Sequence, residues 1–352
     1  MDFNFFKNID RKKLSSIISE RDIYLISTFF GIFLGIFIYT FFTPNYNVRH
    51  DKIMIDVPRG AVFSQVVDSL YEKGAIPSKT NMKIAAMFTN ADDKIKTGRY
   101  EIPDGLSYFG LLNIFLKGTP KAQKLVTIPE GIWQHNLAEL LHEELGVDST
   151  EFMKLSSDRD FIKKLGLNVK NLEGYLLPNT YYFYEDVSAK DVIIKLKTEM
   201  DLLFTDSLKQ RMKEIGMNEH EVLTLASIID GESNVITEFK RISCVYHNRL
   251  KKRIKLQADP TVQYLIRHRR RHNKVYYKDL EIDSPYNTYI YYGLPPGPIN
   301  NPGKEAIMAA LYPEKADYYY LMATGKGDHA FAKTNSEHQK NVRKYREWRA
   351  SQ

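Results

Sequence analysis

Glu232 closes the run Val222-Leu-Thr-Leu-Ala-Ser-Ile-Ile-Asp-Gly-Glu232. At about 100° per residue, Val222, Leu225, Ile229 and Glu232 fall on one helical face, and Asp230 points well away from it. A carboxyl on an apolar stripe loses water. Desolvation disfavours its charged form and raises its pKa. An acid still protonated near neutral pH can donate a proton, which glycoside-bond cleavage requires. The helix pattern alone also allows a helix-end Glu that reaches water or pairs with an arginine.

Three further segments carry polar and aromatic side chains in turn-rich settings. They are Leu256-Gln-Ala-Asp-Pro-Thr-Val-Gln-Tyr264, Ser284-Pro-Tyr-Asn-Thr-Tyr289 leading into Gly293-Leu-Pro-Pro-Gly-Pro-Ile-Asn-Asn-Pro-Gly303, and His329-Ala-Phe-Ala-Lys-Thr-Asn-Ser-Glu-His338. The stretch from Gly293 to Gly303 holds four prolines and three glycines, too rigid for a helix or a central strand and suited to fixing a backbone path. Amides, hydroxyls and aromatic faces around such a loop suit carbohydrate. Gln257 and Asp259 are cleft candidates because Pro260 fixes the backbone after them; Asp259 is equally placed to N-cap a helix over Thr261–Ile266. Tyr286, Asn287 and Thr288 are expected to face Glu232 across the cleft. The alternative for Asn287 is a brace that holds its own turn. Glu130 and Glu173 each precede a glycine and either line the cleft or cap nearby amides.

Other chemistries find less support. His329 and His338 lie nine apart with no further spaced ligands, and no His-Glu-x-x-His occurs, so no metal is expected. The single cysteine, Cys244, excludes an internal disulfide and a cysteine-cluster metal site; it is expected to be a buried, inert thiol. The run Arg267-His-Arg-Arg-Arg-His-Asn-Lys274 lacks interleaved aromatics and reads as a solvated loop, not a nucleic-acid site.

The elements that must position these groups can be read in order. The 352 residues suffice for two or three domains, and a hydrophobic content of 43% supports real cores. A net charge of +7 suits an anionic neighbour. From Ile23 to Phe42 no charge occurs, a length that matches a bilayer core. No small-residue cleavage site follows, so a retained anchor is expected. Lys7, Arg11, Lys12, Lys13 and Arg21 precede it, against Arg49, Lys52 and Arg59 after it. That bias puts a tail of residues 1–22 in the cytoplasm and the remainder on the outer side of the cytoplasmic membrane. Residues 51–121 read as strand (Lys52–Val57), helices (Val62–Lys73, Lys79–Thr89), strand (Gly98–Ile102) and helix (Tyr108–Lys117), a small α+β unit. The remainder, residues 122–350, reads as a larger mixed α+β domain. It opens with a strand over Val126–Gly131 that ends in a turn and continues with helices near 134–145, 149–156, 158–165, 189–203 and 206–215. The Glu232 helix follows, and then one capped by Thr237.

Five blocks occur in one order: Pro129-Glu-Gly131; Leu172-Glu-Gly-Tyr with Pro178; Ala226-Ser-Ile-Ile with Glu232; Gln257-Ala-Asp-Pro-Thr-Val262; and Tyr286-Asn-Thr288 with Gly293-Leu-Pro-Pro-Gly297. With the anchor and the small unit, they resemble the YceG-like (MltG) family of membrane-anchored endolytic murein lytic transglycosylases. The resemblance covers nearly the whole chain. It implies a LysM-like identity for the small unit and a YceG-like catalytic domain after it. It also implies cleavage of the β-1,4 bond between N-acetylmuramic acid and N-acetylglucosamine, with a 1,6-anhydro-muramyl product. In the family's string a hydrophobe, a Glu, a variable residue and a second Glu follow Ala-Ser-Ile. The second Glu, the catalytic acid/base, falls on Glu232; Asp230 replaces the first and Gly231 the variable residue. The implied partners are peptidoglycan glycan strands, the membrane and the glycan polymerases of the cell-wall machinery, with no cofactor and no nucleic acid. Asn287 would then hydrogen-bond an N-acetyl or hydroxyl group of the muramyl unit. A hydrolytic muramidase using Asp230 or Glu238 as second carboxylate, and a non-catalytic glycan-binding scaffold, remain alternatives at this point.

Overall fold

The computed structural model describes residues 19–46, 52–58, 60–91, 94–118, 123–184, 187–268 and 274–351. Most of the basic N-terminal tail, Arg49, Arg59 and the centre of the Arg267–Lys274 run lie outside them. The chain divides into two compact units, with the boundary between Ala122 and Gln123.

In the first unit, helix α1 (Glu20–Phe42) starts at a capping box. Ser19 accepts from the Asp22 amide, and the Asp22 carboxylate accepts from the Ser19 amide. It is long and apolar enough to cross a membrane. Strand β1 (Ile53–Val57), helices α2 (Phe63–Glu72) and α3 (Lys79–Thr89), strand β2 (Gly98–Ile102) and helix α4 (Tyr108–Lys117) follow. The strands pair antiparallel, from Ile53 opposite Ile102 to Val57 opposite Gly98. Period-2 alternation sends Ile55, Val57, Tyr100 and Ile102 inward onto Val66, Val67, Leu70, Met82, Leu111, Leu112 and Phe115. This strand–helix–helix–strand order follows the sequence expectation closely.

The second unit is mainly helical: α5 (Gln134–Leu145), α6 (Ser149–Leu155), α7 (Arg159–Lys164), α8 (Ala189–Leu203), α9 (Asp206–Ile215), α10 (Glu219–Glu232), α11 (Phe239–Lys252), α12 (Asp259–Ile266), α13 (Lys304–Leu311) and α14 (Asn335–Ala350). Two antiparallel pairs complete it, β3 (Gln123–Thr127) with β4 (Thr180–Tyr184), and β5 (Tyr320–Ala323) with β6 (His329–Ala332). The mixed α+β class therefore holds. Local details differ from expectation. The segment Val126–Gly131, foreseen as a strand ending in a turn, does turn at Gly131 (φ +70°), but its strand starts earlier, at Gln123, and stops at Thr127, because Pro129 has no donor for a ladder. Its partner β4 hides in an aromatic, turn-punctuated stretch that reads as irregular. Thr237 does not cap α11; it lies in a 3-10 turn over Ile236–Glu238. Asp148 and Asp158 cap α6 and α7.

Helix α10 is the axis of this unit. Every residue from Val222 to Ile229 is buried, at about 1.5–3 kcal/mol for each large apolar side chain. Asn218 and Glu221 close its N-terminus as a capping box. The Pro-rich loop from Gly293 to Gly303 is bolted onto α10. The Ile299 amide donates to Ser227 Oγ at 3.0 Å, and Asn300 Nδ2 donates to the Ser227 carbonyl at 2.9 Å. Asn301 extends the clamp. Its Oδ1 accepts from the Gly174 and Leu176 amides, and its Nδ2 donates to the Ile132 carbonyl. Gly174 must be glycine: it sits at φ +86°, and an added Cβ would lie 2.2 Å from Pro298 Cβ. Three segments far apart in sequence thus meet around one loop.

Candidate active site

Glu232 is the last residue of α10, and Ser233 leaves the helix in an extended conformation. Tyr246, one helix later on α11, donates its hydroxyl to Glu232 Oε1 at 2.6 Å. Among the described residues this is the carboxyl's one hydrogen-bond partner, so Oε2 is available to hold a proton. Burial pushes Glu232 up to about 7. The Tyr246 hydrogen bond opposes the rise, Asp259 adds to it, and Arg249 opposes it. The Arg249 guanidinium is held by backbone carbonyls, at 2.7 Å to Tyr319 and 2.6 Å to Leu256.

Asp259 is the carboxylate that acts electrostatically on Glu232. It opens α12 without capping it, because the N-cap is Ala258 and makes no side-chain bond. Instead Asp259 Oδ1 accepts the Tyr289 hydroxyl at 2.5 Å. Gln257 is exposed and holds the left-handed conformation at φ +49°. That strain in a non-glycine residue is what functional sites tend to store. Thr288 maintains it: its carbonyl accepts from the Gln257 amide, and its Oγ1 accepts from the Ala258 amide and hydrogen-bonds Thr261 Oγ1.

The three residues expected to face Glu232 divide differently. Asn287 is fully buried. Its amide donates to the Leu280 and Ile282 carbonyls at 2.9 Å each, and its Oδ1 accepts from the Tyr289 amide. The amide is wholly committed to bracing the turn. Thr288 is equally buried and braces the Gln257 segment. Tyr286 turns the other way. Its ring lies 5.1 Å from that of Tyr264, and with Glu173, Tyr175, His220 and Pro296 it lines a cavity of about 1040 Å³ at the opposite end of α10. The rise from His220 to Glu232 is about 18 Å. The cause is topological: buried Asn287 and Thr288 anchor the turn between them, leaving Tyr286 and Tyr289 to serve different surroundings. Tyr246, Tyr289 and Arg249 were missed by sequence reasoning. Tyr289 ended a recognised segment, but Tyr246 read as an ordinary core residue of its helix.

The remaining carboxyls have other tasks. Asp230 Oδ2 accepts from the Gly303 amide at 2.8 Å. Burial lifts it to about 6, against the hydrogen bonds from Gly303 and Gly131. Glu238 is buried and takes both the His329 amide and its Nδ1, at 2.9 Å each. Glu173 Oε1 accepts from the Gln134 amide at 2.9 Å, capping α5 in place of Trp133, and burial lifts it to about 8. Glu130 lies over Gly303 and lines a cavity of about 270 Å³ with Trp133, Asn136, Asp230, Asn234 and Gln263. The buried thiol of Cys244 donates to the Ala316 carbonyl. Among the described residues no group of three His, Cys, Asp or Glu could hold a metal.

Gly231 separates Asp230 from Glu232 for a steric reason. A Cβ there would sit 2.8 Å from Pro260 Cβ, so glycine lets α12 approach the end of α10. Gly231→Ala would gain about 0.5–1 kcal/mol of helix propensity and lose about 1–3 kcal/mol to overpacking. We expect a net loss near 1 kcal/mol in urea unfolding and a larger fall in kcat, because Pro260 would carry Asp259 with it. A variant gaining stability at unchanged kcat would show that Pro260 yields freely.

Known proteins resemble this chain along most of its length. Residues 55–344 match the model of the YceG-like family. The endolytic murein transglycosylase of Bacillus subtilis (strain 168) is 32% identical over 308 residues, covering 83% of this chain and 84% of that protein. The endolytic murein transglycosylase of Streptococcus pneumoniae (strain ATCC BAA-255 / R6) is 27% identical over 323 residues, 82% of this chain and 58% of the pneumococcal protein. The crystal structure of a YceG-like protein from Listeria monocytogenes superposes with a TM-score of 0.56 at 34% identity, covering 82% of this chain and 98% of that one. The chain belongs to the YceG-like family.

Proposed function

We propose that this protein is an endolytic murein transglycosylase that cuts the β-1,4 bond between N-acetylmuramic acid and N-acetylglucosamine, with Glu232 as its acid and base. The observation that carries the reading is the state of the Glu232 carboxyl. It is desolvated, lifted to about 7 and hydrogen-bonded on one oxygen only. Such a group gives its proton to the leaving glycosidic oxygen near neutral pH and then takes one back. The muramyl C6 hydroxyl attacks C1, and its proton returns to Glu232. The bond to the leaving oxygen breaks as the C1–O6 bond forms, no water is consumed, and the product ends in 1,6-anhydro-N-acetylmuramic acid. An internal nucleophile supplies proximity without a second activated group. Asp230 and Glu238 are held by backbone amides and His329, which removes the partners a two-carboxylate hydrolase would draw on. Among the described residues Asp259 is the carboxylate that acts electrostatically on Glu232, so a muramidase using Asp259 is the second reading.

In this proposal Gln257 and Asp259 bind glycan beside Glu232, and Asn287 and Thr288 hold them in place. The first unit is a LysM-like module. Helix α1 is a single-pass anchor in the cytoplasmic membrane, with its N-terminus inside and the catalytic unit outside. The substrate is the nascent glycan strand, and glycan polymerases are the natural neighbours. Mass spectrometry of products from purified glycan strands tests the reading. Anhydro-muramyl ends support it, reducing muramyl ends support the Asp259 muramidase, and uncut strands reject both.

The pH dependence follows from the same carboxyl. Activity needs the protonated acid, so kcat/KM is expected to fall as pH rises through about 7. Tyr246→Phe removes a hydrogen bond that favours the carboxylate, so the alkaline limb should move to higher pH. An unmoved limb, measured by pH–rate profiles on isolated glycan, would show that another group sets it.

A further inference from the structure

Helix α3 turns an apolar face outward from the core of its unit. Ile84, Met87 and Phe88 fall within about 100° of one another around the helix. Met87 is 74% exposed and Phe88 66%. The opposite face, with Met82, Ala85 and Ala86, is buried in the core of the unit. A soluble helix rarely turns Met and Phe together into water, and contiguous apolar surface marks an interaction site.

The position of this face identifies what covers it. Helix α1 does not merely precede the small unit; its last turns are built into it. Phe41 is 6% exposed and packs on Tyr108 and Phe109, with ring centroids 5.9 and 6.1 Å away. Phe42 packs on Phe109 at 4.8 Å. Phe37 touches Phe88 itself, at 5.6 Å and nearly edge-on. The chain beyond is tied back as well, since Asn45 pairs with Leu106. Phe37 lies five residues before the end of the apolar run, about 7.5 Å along the helix axis. If Ile23–Phe42 fills a hydrocarbon core about 30 Å thick, Phe37 is inside that core, and a ring in contact with it cannot be in bulk water.

We infer that the Ile84-Met87-Phe88 face of α3 is sunk in the acyl chains of the outer leaflet, so that the small unit is seated in the membrane and not tethered above it. This rests on the reading of α1 as a spanning anchor. Exposed Lys83, one residue from Ile84, has the reach to run its stem along the apolar face and place its ammonium among anionic headgroups. The consequence is positional. The small unit is then fixed in depth and tilt relative to the bilayer.

Depth-dependent fluorescence quenching tests this in the full chain. In a Cys244→Ser background, Met87→Cys or Phe33→Cys is labelled with an environment-sensitive dye, and the protein is reconstituted into vesicles of mixed neutral and anionic phospholipid. The probes are phospholipids carrying a nitroxide on the acyl chain, and iodide in the water. The expected result is that the label at position 87 loses most of its emission to the acyl-chain nitroxide and little to iodide, as does the label at position 33. A position-87 label quenched by iodide alone, with position 33 still quenched by lipid, would overturn the seating and leave the anchor standing. A position-87 label shielded from both quenchers would mean that protein covers the face, either the catalytic unit or a second copy, and would equally overturn it. Loss of lipid quenching at position 33 would remove the anchor and the inference together.

Discussion

Glu232→Gln is expected to abolish glycan cleavage, by at least about a thousandfold, while the protein remains folded and at alkaline pH becomes more stable. The rate term follows from removing the proposed proton donor, while Asp230 nearby is committed to the Gly303 amide; general acid catalysis is commonly worth a factor of about 10²–10⁴. The stability term follows from linkage. The folded-state pKa of Glu232 is raised from 4.5 to about 7. The stability it contributes is therefore fully present below about 4.5 and is lost as pH rises through about 7. Above that range the ionised carboxylate costs the fold on the order of 3 kcal/mol, and glutamine does not ionise. The amide keeps the shape, and its oxygen still accepts from Tyr246. The variant should match wild type in urea at pH 4 and exceed it at pH 8, with no product peaks in mass spectrometry at either pH. Retained cleavage at near wild-type rate would remove Glu232 from the chemistry. Unchanged alkaline stability would mean that water reaches the carboxyl more freely than its surroundings imply. Asp230→Asn is the internal comparison. Asp230 anchors Gly303 and Gly131, so its loss should act mainly on stability, and a catalytic loss equal to that of Glu232→Gln would restore the two-carboxylate hydrolase.

What could be read from the sequence, and what could not, divides along physical lines. The Glu232 helix was legible from its apolar spacing, although the structure buries all of Val222–Ile229 and not one face alone. Val222, Leu225 and Ile229 are spaced for one face, and a carboxyl in that register stands out. The first unit was legible for the same reason, since alternation in its strands and helical spacing in α2, α3 and α4 repeat over enough residues to be unambiguous. Short elements failed where tertiary pairing decides them: β4 exists because β3 lies beside it. The surroundings of Glu232 were illegible because they are built from contacts across long separations. Tyr246 is a buried aromatic on a helix like many others, and only the approach of α11 to the end of α10 turns its hydroxyl into a partner. Gly231 owes its place to Pro260, a contact that no spacing along the helix announces. Asn287 is the opposite case: its type and turn setting were right, but the sequence could not choose between an amide offered to a sugar and one spent on its own backbone.

That choice leads to the second large effect. Asn287→Ala is expected to lower stability by about 3 kcal/mol or more. The side chain satisfies the Leu280 and Ile282 carbonyls and the Tyr289 amide. Each buried polar group left without a partner costs about 1–3 kcal/mol, and alanine supplies none of the three bonds. The effect should reach the active site through Tyr289. Its amide is fixed by Asn287 and its hydroxyl holds Asp259, so loosening the turn frees the carboxylate that sits beside Glu232. Calorimetry and single-turnover cleavage on the same preparation separate bracing from substrate contact. Bracing predicts a melting temperature lower by several degrees, with activity per folded molecule recovered at low temperature, where the turn re-forms. Direct contact predicts the reverse, a tenfold or greater loss of turnover at an unchanged melting temperature. Full burial of Asn287 and a complete set of backbone partners leave it no hydrogen bond to give a sugar, so the thermal signature is the expected one.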